Sequence, residues 1–439
     1  MRRRSAMYGV IALAAVVALV VPVLLGVPAA GIWRGLLLGP APAPIEPTRA
    51  VLAFAWPEYP YSVSVPASVI AAGLDALTAA EAAAGAPADP RRSYWTLTVD
   101  TAGGIRRWWI TRDGLAWLEE GEDPVAAGGA RLAGPLDARG ILDSLTPYID
   151  RLHHQAFGDL VEWPEANPFF PVGGTALLRD VESRQTLQIR RHRGDAHFDV
   201  EPLTAEDTAT LRAIYGGRWS WKRRAAVLMA GGRRIAASMN GMPHGWGDIF
   251  DNDFRGHFCV HVAGSRVHTT WRRDPGHQLM VLKAAGRLAE TLDTAAPGEL
   301  VDLVLAALNH RETATLRVAL DGDGTGTQAL PDPRRPGPLP PAPATGLLAD
   351  LLGEIRHLTV VDVREEVVED RRAVVRAAVT VYFYEPDRDR PFSVDLTVRL
   401  HRTAPGTPWT VELASLAPLL ERGEPAAARV PPEPAGCAP

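Results

Sequence analysis

The segment Gly256-His257-Phe258-Cys259-Val260-His261 places a thiol between two imidazoles. Read as a β-strand, its two-residue period puts His257, Cys259 and His261 on one face. Phe258, Val260 and Val262 then point the other way, into a core. A thiol is nucleophilic only as thiolate, and a neighbouring imidazole is the usual way to form one near neutral pH. A second signal, Met242-Pro243-His244-Gly245, lies upstream, with His244 15 positions before Cys259. His244, His257, Cys259 and His261 are also the residue types that bind zinc. Three ligands at alternate positions of one strand, however, span too little angle for a tetrahedron. In the packing reading, Cys259 is a small buried apolar residue. That explains one such residue better than four within 18 positions.

These residues need a scaffold, and residues 165–295 supply its elements. Ala225 to Met229 and Arg234 to Ser238 read as strands joined by Gly231-Gly232, the second running into the His244 segment. The loop before the Cys strand carries Asp248, Asp251, Asn252 and Asp253. It lacks the spacing of a calcium loop and reads as a solvated acidic turn. Thr204 caps a helix that ends near Tyr215, with Glu206 and Asp207 in its first turn. In Arg218-Trp219-Ser220-Trp221-Lys222-Arg223-Arg224, aromatics stand among basic residues. Trp219 and Trp221 are therefore either buried pins of a loop or a substrate-binding platform for sugars or an anionic polymer. Asp274-Pro275 opens another helix, with proline at N1; His277 inside it reads as a structural partner.

The 439 residues suit several domains. The expected fold is an α+β multidomain chain, with a central mostly-β domain and a small C-terminal α+β domain. Arg2-Arg3-Arg4 precedes an uncharged stretch, Tyr8 to Val27, long enough to cross a bilayer. Residues 1–30 are thus expected to be a transmembrane anchor, N-terminus inside, with the bulk of the chain extracytoplasmic; a cleaved signal peptide is the rival. Residues 31–49 read as a linker and 50–160 as an α+β domain without a chemical motif. Residues 321–346 are a Pro-rich linker, 347–421 an α+β domain and 422–439 a Pro/Ala tail holding Cys437. A disulfide from that tail to Cys259 is not expected, which leaves Cys259 a lone thiol. The net charge of -5 gives no sign of nucleic-acid binding. Residues 171–290 carry 18 Lys and Arg against 12 Asp and Glu, which suits an anionic partner.

With these residues in place, the chain resembles the L,D-transpeptidases, the YkuD-type peptidoglycan cross-linking enzymes. Their His-Gly and His-x-Cys elements match His244-Gly245 and His257-Phe258-Cys259. About residues 175–290 also resemble an uncharacterised bacterial extracytoplasmic family. The runs that carry this likeness include Leu203-Thr204-Ala205-Glu206-Asp207-Thr208, Ala237 to Gly245, Ser265-Arg266-Val267-His268 and Asp274-Pro275-Gly276-His277-Gln278. Two positions depart from the transpeptidase pattern: Phe258 stands for its glycine and His261 for its arginine. The resemblance implies a Cys259 thioester on a peptidoglycan stem peptide, with His244 as base and its ring oriented by the Gly245 carbonyl. His257 would stabilise the thiolate or oxyanion, and His261 and His268 would flank the substrate. It implies peptidoglycan or another anionic wall polymer as partner, no cofactor and no metal. The alternatives are a zinc-dependent cell-wall hydrolase and a non-catalytic wall-binding protein with a degenerate site.

Overall fold

In the computed structural model, residues 47–79, 89–120, 131–268, 271–321, 346–384 and 391–421 are described. Their backbone is organised by three antiparallel sheets. The first contains β1 (Pro47–Phe54), β2 (Ser62–Val65), β3 (Ser93–Thr101), β4 (Gly104–Thr111), β5 (Leu115–Glu120) and β6 (Arg131–Asp137), in the order β2-β1-β3-β4-β5-β6. Helices α1 (Ala67–Ala79) and α2 (Arg139–Ala156) pack on each other and on β1. Trp108 and Trp109 are fully buried, so the paired indoles are core.

The second sheet closes into a barrel. Its strands are β7 (Thr175–Asp180), β8 (Thr186–Arg193), β9 (Phe198–Pro202), β10 (Arg224–Ala230), β11 (Arg233–Met239) and β12 (Phe258–His261), in the order β10-β11-β12-β9-β8-β7. Closure leaves no free edge. Leu187, Ile189, Phe198, Val200, Leu228, Ile235, Phe258 and Val260 fill the interior. Helix α3 (Ala205–Ile214) packs on β8 and β9, and Thr204 caps it through a capping box with Asp207. Helix α4 (Pro275–Ala284) lies across β10, β11 and β12 from outside. Asp274 caps it, accepting from the His277 amide at 2.9 Å and from Arg223 Nη2 at 2.6 Å.

Helices α5 (Leu288–Thr294), α6 (Pro297–His310) and α7 (Thr313–Ala319) lead away from the barrel. After α8 (Leu347–Glu354), the third sheet runs β13 (Ile355–Val368), β14 (Arg372–Phe383), β15 (Phe392–His401) and β16 (Thr410–Val411), with α6 packed on β13.

The expected α+β multidomain fold is corrected in two respects. The architecture is mostly β, dominated by three sheets and a closed six-stranded barrel. Short strands such as β5, β6 and β7 give only weak sequence patterns, so the sequence under-represents the sheets. Secondly, no helix among the described residues is long and apolar enough to cross a membrane. The stretch expected to span, residues 8–27, lies outside the described residues, as do 322–345 of the Pro-rich linker and the 422–439 tail.

Candidate active site

Strand parity sets the site. On β12, Phe258 and Val260 point into the barrel, while Cys259 and His261 point outward. On β9, Phe198 and Val200 point inward, so Asp199 and Glu201 share the outer face. The antiparallel register places Asp199 opposite Cys259, and on the other side of β12 Ser238 is opposite His261. One outward patch therefore gathers a thiol, a carboxylate and imidazoles.

Cys259 Sγ lies 3.3 Å from His244 Nε2. His244 Nδ1 is 2.8 Å from the Met242 carbonyl, which can only accept. The network thus assigns the proton to Nδ1 and leaves Nε2 to take the thiol proton. The carbonyl that orients His244 is Met242's, not Gly245's as the resemblance implies. Gly245 instead supplies space: at φ +58° it faces the His257 ring, where a Cβ would collide. Gly256, at φ +86°, allows an isolated bridge in which His244 and His257 exchange backbone hydrogen bonds of 3.0 and 2.9 Å. That bridge sets the two rings edge to face, 4.5 Å apart.

His257 Nδ1 donates to the Trp246 carbonyl at 2.7 Å, while Nε2 faces Asp199 Oδ1 at 3.8 Å. An imidazolium suits both oxygen partners, and a cation there favours a thiolate nearby. Asp199 also meets His197 Nε2 at 3.1 Å and His268 Nε2 at 3.4 Å. Burial alone would push the Asp199 carboxyl up. Hydrogen bonds from His197 and His268, together with the charges of His197 and His257, hold it well below the ordinary carboxylate range.

No protein-family model matches the chain, and no curated protein or solved structure does either. The site is therefore read from its own geometry.

The remaining candidates separate by burial. His261 is fully buried, sandwiched between His197 at 4.2 Å and His277 at 3.7 Å, so it forms part of a stacked column and no substrate wall. His277 Nδ1 pairs with Ser238 Oγ at 2.8 Å. Burial, followed by the nearby His261 and Arg223, holds its ring well below the ordinary imidazole value. His268 is half-buried over Asp199. Trp221 packs against the His244 ring at 4.9 Å. Trp219 meets Phe254 edge to face at 5.3 Å and packs on the barrel core, which is the buried-pin reading.

Cys259 itself has 0% exposure. The segment 240–257 carries the other half of the dyad, and within it Trp246 and Phe250 are 86% and 92% exposed. Asn252 pins the loop from within, donating to the Pro202 carbonyl at 2.7 Å and accepting from the Phe254 amide at 3.0 Å. Asn252 is thus a structural pin of the acidic turn.

By distance, three groups among the described residues could hold a metal: His197, Cys259 and His261; His197, Asp199 and His268; and His192, Glu201 and Asp248. Sequence reasoning missed Asp199, His197 and Glu201. The available signal was the alternation His197-Phe198-Asp199-Val200-Glu201, which puts three polar groups on one strand face. Its link to Cys259, 60 positions away, becomes visible only in the strand register.

Proposed function

We propose that the protein is a cysteine acyltransferase or hydrolase acting on peptidoglycan stem peptides. The observation that carries this reading is the 3.3 Å contact from Cys259 Sγ to a His244 ring whose other nitrogen is fixed by Met242. In the proposed reaction, His244 Nε2 takes the thiol proton and Sγ attacks a peptide carbonyl. The carbon–nitrogen bond breaks, and His244 returns the proton to the leaving amine. The thioester is then attacked by an acceptor amine, giving a cross-link, or by water, giving hydrolysis; His244 takes the proton of the attacking group, the carbon–sulfur bond breaks, and Sγ leaves and takes that proton back. His257, held between Trp246 O and Asp199, stabilises the thiolate when its ring is protonated. The basic surplus of residues 171–290 suits an anionic wall polymer.

The exposed Trp246 and Phe250, on the loop that carries His244, offer the substrate a purchase beside the site. The test is incubation of the protein with stem peptides, with Cys259→Ala as control. A mass-detectable acyl adduct on Cys259, absent in the control, is expected. Failure to find both adduct and product would defeat the proposal. A product made equally well by Cys259→Ala and abolished by a chelator would point to the zinc alternative.

A further inference from the structure

Beside the thiol site, a second polar cluster joins the same loop to the barrel. Glu201 is fully buried on the outer face of β9. Its Oε1 accepts the amides of Asp248 and Ile249 at 2.8 and 3.0 Å. Its Oε2, equally buried, receives no hydrogen bond, and its ion-pair partner His192 Nδ1 is 3.9 Å away. The register irregularity of β8 between Arg191 and Arg193 falls at His192, and the ring comes within 2.8 Å of Asp248 Oδ2. Asp248 is half exposed, which leaves a route from solvent.

A buried carboxylate oxygen without a donor is costly, and a cation removes that cost. Donor atoms of the three residues lie within 4.8 Å of one another. Ligand bonds of about 2.1 Å place donors roughly 3.0–3.4 Å apart around one ion. The separations of 2.8 and 3.9 Å bracket that range, so small adjustments suffice. One imidazole with two carboxylates is a set for zinc or manganese, harder than a thiolate site and softer than the all-oxygen set calcium takes. Asp199, by contrast, already has imidazole partners for both oxygens.

We infer that His192, Glu201 and Asp248 form a divalent transition-metal site. The metal latches loop residues 245–249 to β8 and β9, and with them Trp246, whose carbonyl holds His257. This inference stands whether or not Cys259 performs acyl transfer.

The test uses the full chain, stripped by a chelator and then dialysed against zinc or manganese chloride in slight excess, with bound metal measured by elemental analysis. One equivalent is expected, with a rise in melting temperature on binding. Asp248→Asn and Glu201→Gln are each expected to weaken binding by about tenfold or more, while His268→Ala and Cys259→Ser retain it. Asp248 is at the surface, so its variant remains informative if Glu201→Gln fails to fold. The inference is overturned if the wild-type chain holds no metal, if Asp248→Asn binds as the wild type does, or if binding is lost instead with His268→Ala or Cys259→Ser.

Discussion

His244 meets the thiol through one ring nitrogen and the backbone through the other. This division of labour makes a direct prediction. His244→Asn removes the base and keeps a polar side chain on a half-buried loop. Acylation of Cys259 should fall about 10²–10⁴-fold, the usual weight of a general base, with little change in melting temperature. Iodoacetamide labelling followed by mass should show the same slowing near neutral pH. Equal labelling rates in wild type and variant would mean that the 3.3 Å contact does not activate the thiol. The sequence exposes His244, His257 and Cys259 because they sit in one local run. It conceals Asp199, whose neighbours His257 and His268 come from segments 58 and 69 positions away. Sequence spacing describes one strand face and carries no information about which strand lies beside it.

At the scale of elements, the dyad depends on a short bridge between two segments that are not otherwise a sheet. His244 and His257 exchange backbone hydrogen bonds, and Gly256 sits where a Cβ would strike the His244 carbonyl oxygen. At φ +86°, an alanine there is strained as well as crowded. Gly256→Ala should therefore cost ~1–3 kcal/mol of stability and separate His244 from Cys259. Urea unfolding measures the first effect and labelling of Cys259 the second. A variant with wild-type stability and wild-type labelling would show that the bridge does not position the dyad. The flanking strands β10 and β11 are legible from their apolar runs and the Gly231-Gly232 turn. Barrel closure is not, because the pairing of β7 with β10 brings together strands almost 50 residues apart. The α+β expectation failed for the same reason: helices announce themselves locally, whereas sheets are completed by distant partners.

Across the whole molecule, buried histidines and one buried lysine determine how the chain responds to acid and to charge removal. Burial holds His277 well below its ordinary 6.5 and brings His310 down to about 3. Between those folded values and 6.5, the unfolded chain binds protons that the folded chain refuses. Stability is thus complete above pH 6.5 and is lost as the pH falls below it, by at most about 1.4 kcal/mol per pH unit for each such group. Asp274, held low chiefly against its burial by Arg223, adds to the loss below the ordinary carboxylate range. Melting temperature should fall steadily from about pH 7 to about pH 4, less steeply in His277→Gln, and a flat profile would contradict this account.

Lys283 on α4 is the opposite case, a buried cation that stays charged. Burial opposes its charge, but Glu182 and Glu312 outweigh it and hold the ammonium well above its ordinary range. Its Nζ is 2.7 Å from Glu182, in the turn between β7 and β8, and 2.9 Å from Glu312, between α6 and α7. One side chain therefore ties the barrel to the helices that lead to the third sheet, while the Lys283 carbonyl accepts from Tyr59, in the segment between β1 and β2. Replacing both partners of such a network by apolar groups can be neutral, but removing the cation alone strands buried Glu312, while Glu182 keeps Arg224 at 3.1 Å. Lys283→Met should cost ~3–5 kcal/mol in urea unfolding, and Lys283→Met with Glu312→Gln should recover part of it. The recovery decides the matter: a double variant no better than the single one would mean that packing of the lysine stem, and not charge balance, ties the barrel to the turn between α6 and α7.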